Sequence, residues 1–439
     1  MQVFLFKGEM DMESTASSKR TEKIVHSSSK MAREVDTDIR SSNKRGSILA
    51  FLLFIGMILS YYDRLAINIA MVPIEKELLL NPSQTGLLLS VFFISMSIMQ
   101  PLGGWLSDKF GARTLIIISM LSWSVFTVMT GLAWSFVSLL IIRFLFGLGE
   151  GPYHPAGLVV IRENFPEGKR GRINAFFLSA QPLGGVVASL VATVMVVKLG
   201  WRWTFMSAGI FGILLALAFW LVLQPRETPK RNVSGNKLVK VPLRLVIKAE
   251  SIWKIMSFKF LASVVNWGLM SWMPLYLVKE KGINLLATGG LIAIPYITGF
   301  LMYNLSGWIL DKYMIGREKY LAAMGALVAA IFLYCMSQTT SIILLITFLT
   351  LTTIGISFIG TTLFTIIIKY APKEVTGSVT GLVTLTTQVA GAVSPIVIGL
   401  IISLFNGSFD AAFWFLSISA LCGMIIGLTI NNNRGAVKS

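Results

Sequence analysis

Residues 103–113 read GGWLSDKFGAR, and residues 306–317 read SGWILDKYMIGR. Both strings carry Gly-Trp-x-x-Asp-Lys, then a Gly and an Arg, and each follows the second long apolar run of a set of six. One such string arises readily by chance. The same string at the same place in both halves points to duplicated six-helix units. Small glycines let helices approach closely, and Asp108 and Asp311 are placed to pair with basic groups or helix N-termini. Gly104, Asp108 and Arg113, with Gly307, Asp311 and Arg317, are therefore expected to form a conformational latch on one membrane face.

The composition around these strings excludes a soluble protein. Of 439 residues 54% are hydrophobic and 13% charged, against about 25% charged in soluble domains. Apolar runs of about twenty residues, each long enough to cross a hydrocarbon core of about 30 Å, recur from Ser47 to Ile430. They predict an all-α membrane protein with twelve transmembrane helices in two six-helix bundles. The expected division is an N-terminal tail over 1–46, a first bundle over 47–223, a basic Pro-containing linker over 224–259, a second bundle over 260–430 and a tail over 431–439.

With the N-terminus inside, only Lys76, Lys198, Arg202, Lys279 and Lys281 of the 38 Lys and Arg face outward, apart from Arg64 and Arg143 within spans. Both termini are therefore expected in the cytoplasm. The formal charge of +17 reports this bias rather than nucleic-acid binding. Cys335 and Cys422 lie inside apolar runs, so no disulfide framework is expected, and His26 and His154 are too few for a metal cluster. No nucleophile with its base and no phosphate-cradling loop is evident, which argues against an enzyme.

Charged side chains deep in a bilayer are costly and so report function. Asp63 and Arg64 on the first span diverge by about 100°, and at least one must find a partner on another helix; the fourth span, with Arg143 and Glu150, supplies it. Arg143 and Glu150 lie two turns apart, too far for a local pair, yet Arg143 is expected to compensate Glu150 once the helices pack. Either the four fix helix packing, or the arginines bind an anion, preferably a carboxylate held by a guanidinium fork. In the second case the carboxylates carry protons, since burial favours their neutral form and a nearby Arg their charged form.

The paired Gly-Trp-x-x-Asp-Lys loops resemble the cytoplasmic signature of the major facilitator superfamily. Tyr61-Tyr-Asp-Arg64, the stretch from Arg143 through Glu150 to Pro155, and Ser179-Ala-Gln-Pro-Leu-Gly-Gly185 are similar to its anion:cation symporter family, which carries galactonate, hexuronates, glucarate and other organic acids. The resemblance implies that Asp63 and Glu150 take protons, that Arg64 and Arg143 hold the substrate carboxylate, and that Tyr61 and Gln181 contact its polar groups. Met96 stands where sugar-acid members typically place a Tyr, removing one hydroxyl contact. Gln388 occupies a position often held by Asn and is a candidate ligand or interhelical hydrogen bond. Asn266 is a further pocket candidate. His154, four residues after Glu150, is either satisfied by backbone at the Pro152 and Pro155 kink or relays its proton.

The expected function is proton-coupled import of an organic anion by alternating access, with the proton as coupling ion, no cofactor, and small anion, proton and lipid bilayer as partners of a monomer. Drug:proton antiport and a transporter-like substrate sensor are the alternatives. The short outer loop near 71–83 lacks a glycosylation acceptor, which favours a bacterial inner membrane.

Overall fold

The computed structural model describes residues 46–223, 250–314, 316–370 and 376–430. The tail residues 1–45 and 431–439, and linker residues 224–249, lie outside the described residues. Eleven described helices are long and apolar enough to cross a membrane. One of them, Glu167–Val222, has 56 residues, about 84 Å at 1.5 Å per residue and well over twice the hydrocarbon thickness. It breaks at Gly200, whose φ of 83° and ψ of 161° are not helical and belong to the region that favours glycine. The break turns one long helix into two crossings, so the described chain has twelve.

In chain order these are α1 Gly46–Glu77, α2 Pro82–Phe110, α3 Ala112–Gly131, α4 Phe136–Asn164, α5 over 167–199 and α6 over 201–222. The second half holds α7 Glu250–Lys279, α8 Leu285–Tyr313, α9 Glu318–Gln338, α10 Ile342–Tyr370, α11 Thr376–Leu404 and α12 Asp410–Leu428. Helix starts follow local chemistry. Asn81 caps α2 in a reciprocal capping box with Gln84, followed by Pro82 in the first turn, and Asn284 accepts from the Ala287 amide at the start of α8; each satisfies a donor the helix leaves free. The seventh helix is already formed at Glu250, ten residues before the expected boundary, because Lys254 and Lys259 interrupt the apolar run without interrupting the helix.

The halves meet along α2 with α11 and α5 with α8. At the first seam the backbones nearly touch: a Cβ on Gly399 would lie 2.5 Å from the Pro82 carbonyl oxygen, an approach only glycine permits. Four contacts made by described side chains also bridge the halves. Asn68 donates Nδ2 to the Met270 carbonyl at 3.1 Å, Lys279 pairs with Glu75 at 2.5 Å, Phe93 packs on Trp267 with ring centroids 4.6 Å apart, and Gln388 donates to Gln100 at 3.0 Å. These bridges run from mid-helix, at Gln100 and Gln388, to the end that carries Glu75 and Lys279. At that end Glu77 also accepts from Trp201 and Arg202, just past the Gly200 break.

Of the expected latch, Gly104 and the side chains of Asp108 and Asp311 lie outside the described residues. Arg113 donates to the Leu223 carbonyl at 2.5 Å and the Trp220 carbonyl at 3.3 Å, so it ties the start of α3 to the last carbonyls of α6, where a cation is favoured. Gly307 has open space around the position of a Cβ, so close helix approach does not account for it here. Arg317 stands at the N-cap of α9, its carbonyl accepting from Tyr320.

Candidate functional site

Four ionisable side chains lie in the interior of the first half. Asp63 and Arg143 are each 1% exposed, Glu150 2% and Arg64 5%. On α1, Ser60 and Arg64 are four residues apart and share a face, while Asp63 points about 100° away. Arg64 donates Nη2 to Glu150 Oε1 at 2.7 Å, and Ser60 donates its hydroxyl to the same oxygen. Asp63 turns instead toward α3, where Thr127 donates to its Oδ2 at 3.2 Å. Next to Glu150, Ser119 of α3 donates to the Gly149 carbonyl at 2.5 Å, tying α4 to α3.

The cation bonded to Glu150 is thus Arg64 and not Arg143. Arg143 lies against aromatic faces, 4.5 Å from the Phe146 centroid and 5.7 Å from that of Phe92. Arg64 covers the Phe92 ring as well, at 5.0 Å, and the Tyr61 ring at 4.6 Å. Cation–π contact offsets part of the lost hydration but satisfies no N–H. Buried and without a hydrogen-bond partner are Arg143 Nε and Nη1, Arg64 Nε, Asp63 Oδ1 and Glu150 Oε2. An unsatisfied buried polar atom costs about 1–3 kcal/mol and more when charged. Two carboxylates and two guanidiniums within one bundle have therefore left hydrogen-bonding capacity on both signs of charge unused.

The second half reaches this cluster through Gln388. Its Nε2 donates to Gln100 Oε1 at 3.0 Å and lies 3.6 Å from Met96 Sδ, while its Oε1 has no partner. Gln388 is a hydrogen bond between halves, and it retains a free buried acceptor. Asn266 is half-buried on α7 with Nδ2 3.6 Å from Met270 Sδ. Gln181 is half-buried on α5, one turn from Gly184, which packs against Tyr61. The His154 ring stacks on Phe177 at 5.8 Å between centroids, and the hydrogen bonds of Glu150 come from Ser60 and Arg64 rather than from this histidine. Ser60, Thr127, Phe92 and Gln100 escape the sequence reading. Ser60 had a signal in its i, i+4 spacing to Arg64, and Gln100 in being an uncharged polar side chain near the middle of a span.

Comparisons with known proteins bear on the family and the fold. The family model described as Major Facilitator Superfamily matches residues 53–395. The chain is 29% identical over 420 residues to the probable galactarate/D-glucarate transporter GarP of Escherichia coli (strain K12), covering 87% of this chain and 94% of that protein. It is 28% identical over 376 residues to the hexuronate transporter of Bacillus subtilis (strain 168), covering 82% and 89%. The fold matches a crystal structure of a bacterial homolog to the human lysosomal transporter Spinster, in an inward-facing and unoccupied conformation, with a TM-score of 0.75 at 19% identity over 90% of this chain and 97% of that one.

Proposed function

The chain belongs to the major facilitator superfamily and is a multi-pass membrane transporter rather than an enzyme, and from that premise we propose that it imports an organic anion, a sugar acid or related carboxylate, together with protons. One observation carries the reading: two buried guanidiniums keep N–H groups without partners beside two buried carboxyls that keep oxygens without partners. An incoming carboxylate supplies the missing acceptors, and the planar guanidinium of Arg143, with Nε and Nη1 unpartnered, can hold it at two points along one edge.

Coupling follows from charge. With both Arg and both acids ionised the cluster is neutral, and a bound carboxylate adds a net negative charge in a low-dielectric interior, at a cost of several kcal/mol. A proton on Glu150 or Asp63 cancels it. Protonating Glu150 also weakens its ion pair with Arg64, freeing Arg64 Nη2 for the substrate. Proton and anion thus favour each other's binding. Asp63, held by a single hydroxyl from Thr127, is the second proton site.

The distribution of Lys and Arg puts the Glu75–Lys279 end outside, where the bridges between halves concentrate. The conformation described is therefore closed outward, and alternating access consists of opening that seam while the ends of α2 and α8 that carry Asp108 and Asp311 close. The membrane is a bacterial inner membrane with both termini cytoplasmic. Counterflow in proteoliposomes with a panel of sugar acids, dicarboxylates, sulfonates and aromatic acids tests the reading: exchange is expected for carboxylates. Exchange of none of them, with drug-like cations accepted instead, overturns it.

A further inference from the structure

Lys259 lies inside α7, nine residues from its start. Trp253 and Lys254 mark the end of that helix, with Trp253 53% exposed and Lys254 3.4 Å from the Thr429 carbonyl; Lys259 is roughly 7.5 Å deeper. Its ammonium lies 5.4 Å from the ring centroid of Phe364 on α10, and among the described residues it has neither an ion pair nor a hydrogen bond. It shares one face of α7 with Ser263, Asn266 and Met270 by their i, i+4, i+7 and i+11 spacing. Along that face Ser263 lies 3.4 Å from Thr387 of α11, and the Met270 carbonyl accepts from Asn68 of the first half. The neighbouring face, with Phe258 and Ala262, packs into the core of the second half.

Among the described residues this half-buried ammonium has only an aromatic face beside it, and no described anion replaces its hydration. The other described Lys and Arg side chains of the second half stand at helix ends. Lys259 is therefore the one described cation on the inner wall of that half, about 10 Å along α7 from Asn266 and toward the end opposite the Glu75–Lys279 bridge.

We infer that Lys259 is a second anion station, which takes a carboxylate of the substrate as it passes between the Arg64–Arg143 cluster and the cytoplasm. This rests on the organic-anion reading above. A separate positive station near the mouth concentrates anions and speeds their capture without adding to the buried cluster.

The test uses the full chain and D-glucarate, which has a carboxylate at each end, in vesicles of phosphatidylcholine alone. At low ionic strength Lys259→Gln is expected to raise the KM for exchange about tenfold while the maximal rate changes far less, Lys259→Arg to restore it, and 1 M salt to erase the difference, since screening then acts within about 3 Å. A second readout is independent of transport: D-glucarate is expected to raise the thermal stability of Arg64→Ala in detergent, and to raise it clearly less in Arg64→Ala with Lys259→Gln, where Arg143 alone remains. An unchanged KM in Lys259→Gln, or stabilisation indifferent to Lys259, overturns the station. So does a Lys259 effect that appears only when phosphatidylglycerol is added, which assigns the ammonium to a lipid headgroup. If the wild type exchanges no carboxylate at all, the transport reading falls, while the stabilisation measurement still decides Lys259.

Discussion

Arg64 and Gln388, from opposite halves of the molecule, converge on one atom: the sulfur of Met96 lies 3.5 Å from Arg64 Nη2 and 3.6 Å from Gln388 Nε2. A thioether is a weak acceptor, so the strongest donor of the cluster and the main polar contact from the second half share a poor partner. The stability consequences of the two side chains differ accordingly. Met96→Leu conserves volume and forfeits little, and its cost is expected below about 1.5 kcal/mol. Gln388→Leu leaves the half-buried Gln100 amide without this partner and is expected to cost more, about 1–2 kcal/mol. Thermal unfolding of the two variants in one detergent checks the order; a larger loss for Met96→Leu contradicts it.

The two arginines are separable in the same way. Arg64→Ala leaves Glu150 buried with only the Ser60 hydroxyl, and breaking such a pair costs about 3–5 kcal/mol. Arg143→Ala removes a buried cation that has no hydrogen bond, so its effect on stability is expected to be smaller. Both variants are expected to lose uptake, and Arg143→Lys to restore little of it, because a point charge does not reproduce a planar fork. Folded Arg143→Ala that transports at the parental rate would remove Arg143 from the site.

Glu150→Gln separates proton carriage from packing. The amide keeps the shape and still accepts from Ser60, but it has no proton to lose and pairs only weakly with Arg64. Accumulation driven by a pH gradient is expected to stop while substrate exchange across the membrane continues. Loss of folded protein, with normal specific activity in what survives, would mean that Glu150 serves packing alone.

Two acids allow two protons. If a monovalent anion enters with both, one positive charge moves inward per cycle, and each such charge gains about 2.3 kcal/mol per 100 mV of inside-negative potential. A valinomycin-imposed potential at fixed pH is then expected to raise accumulation, and Asp63→Asn to blunt the response. Accumulation of a monoanion that ignores the potential limits the cycle to one proton and leaves Asp63 as a fixed partner of Thr127.

The legible part of this molecule was the part written in hydrophobicity and charge. Twelve apolar runs and the repeated Gly-Trp-x-x-Asp-Lys string carry the architecture, and Arg64 and Glu150 stand out because a charge in an apolar run is expensive. Which arginine meets Glu150 was not legible, since it depends on the rotation of α1 against α4, which tertiary packing decides and helix periodicity does not. Ser60 and Thr127 hide because a hydroxyl in a membrane helix can always bond its own backbone. Lys259 hid for the opposite reason. A lysine beside a basic linker looks like the linker's last charge, and only the helix start at Glu250 moves it into the wall of the second half.

The measurement that tests the central claim most directly is proton movement on addition of substrate. Proteoliposomes holding the purified chain, with a pH-sensitive dye in the lumen and no imposed gradient, are given external D-glucarate or a hexuronate. Luminal acidification that starts with the acid, follows its concentration and vanishes in Glu150→Gln is the predicted result. Uptake of the acid with no change in luminal pH, or with the same acidification in Glu150→Gln, contradicts proton symport through the Arg64–Glu150 pair.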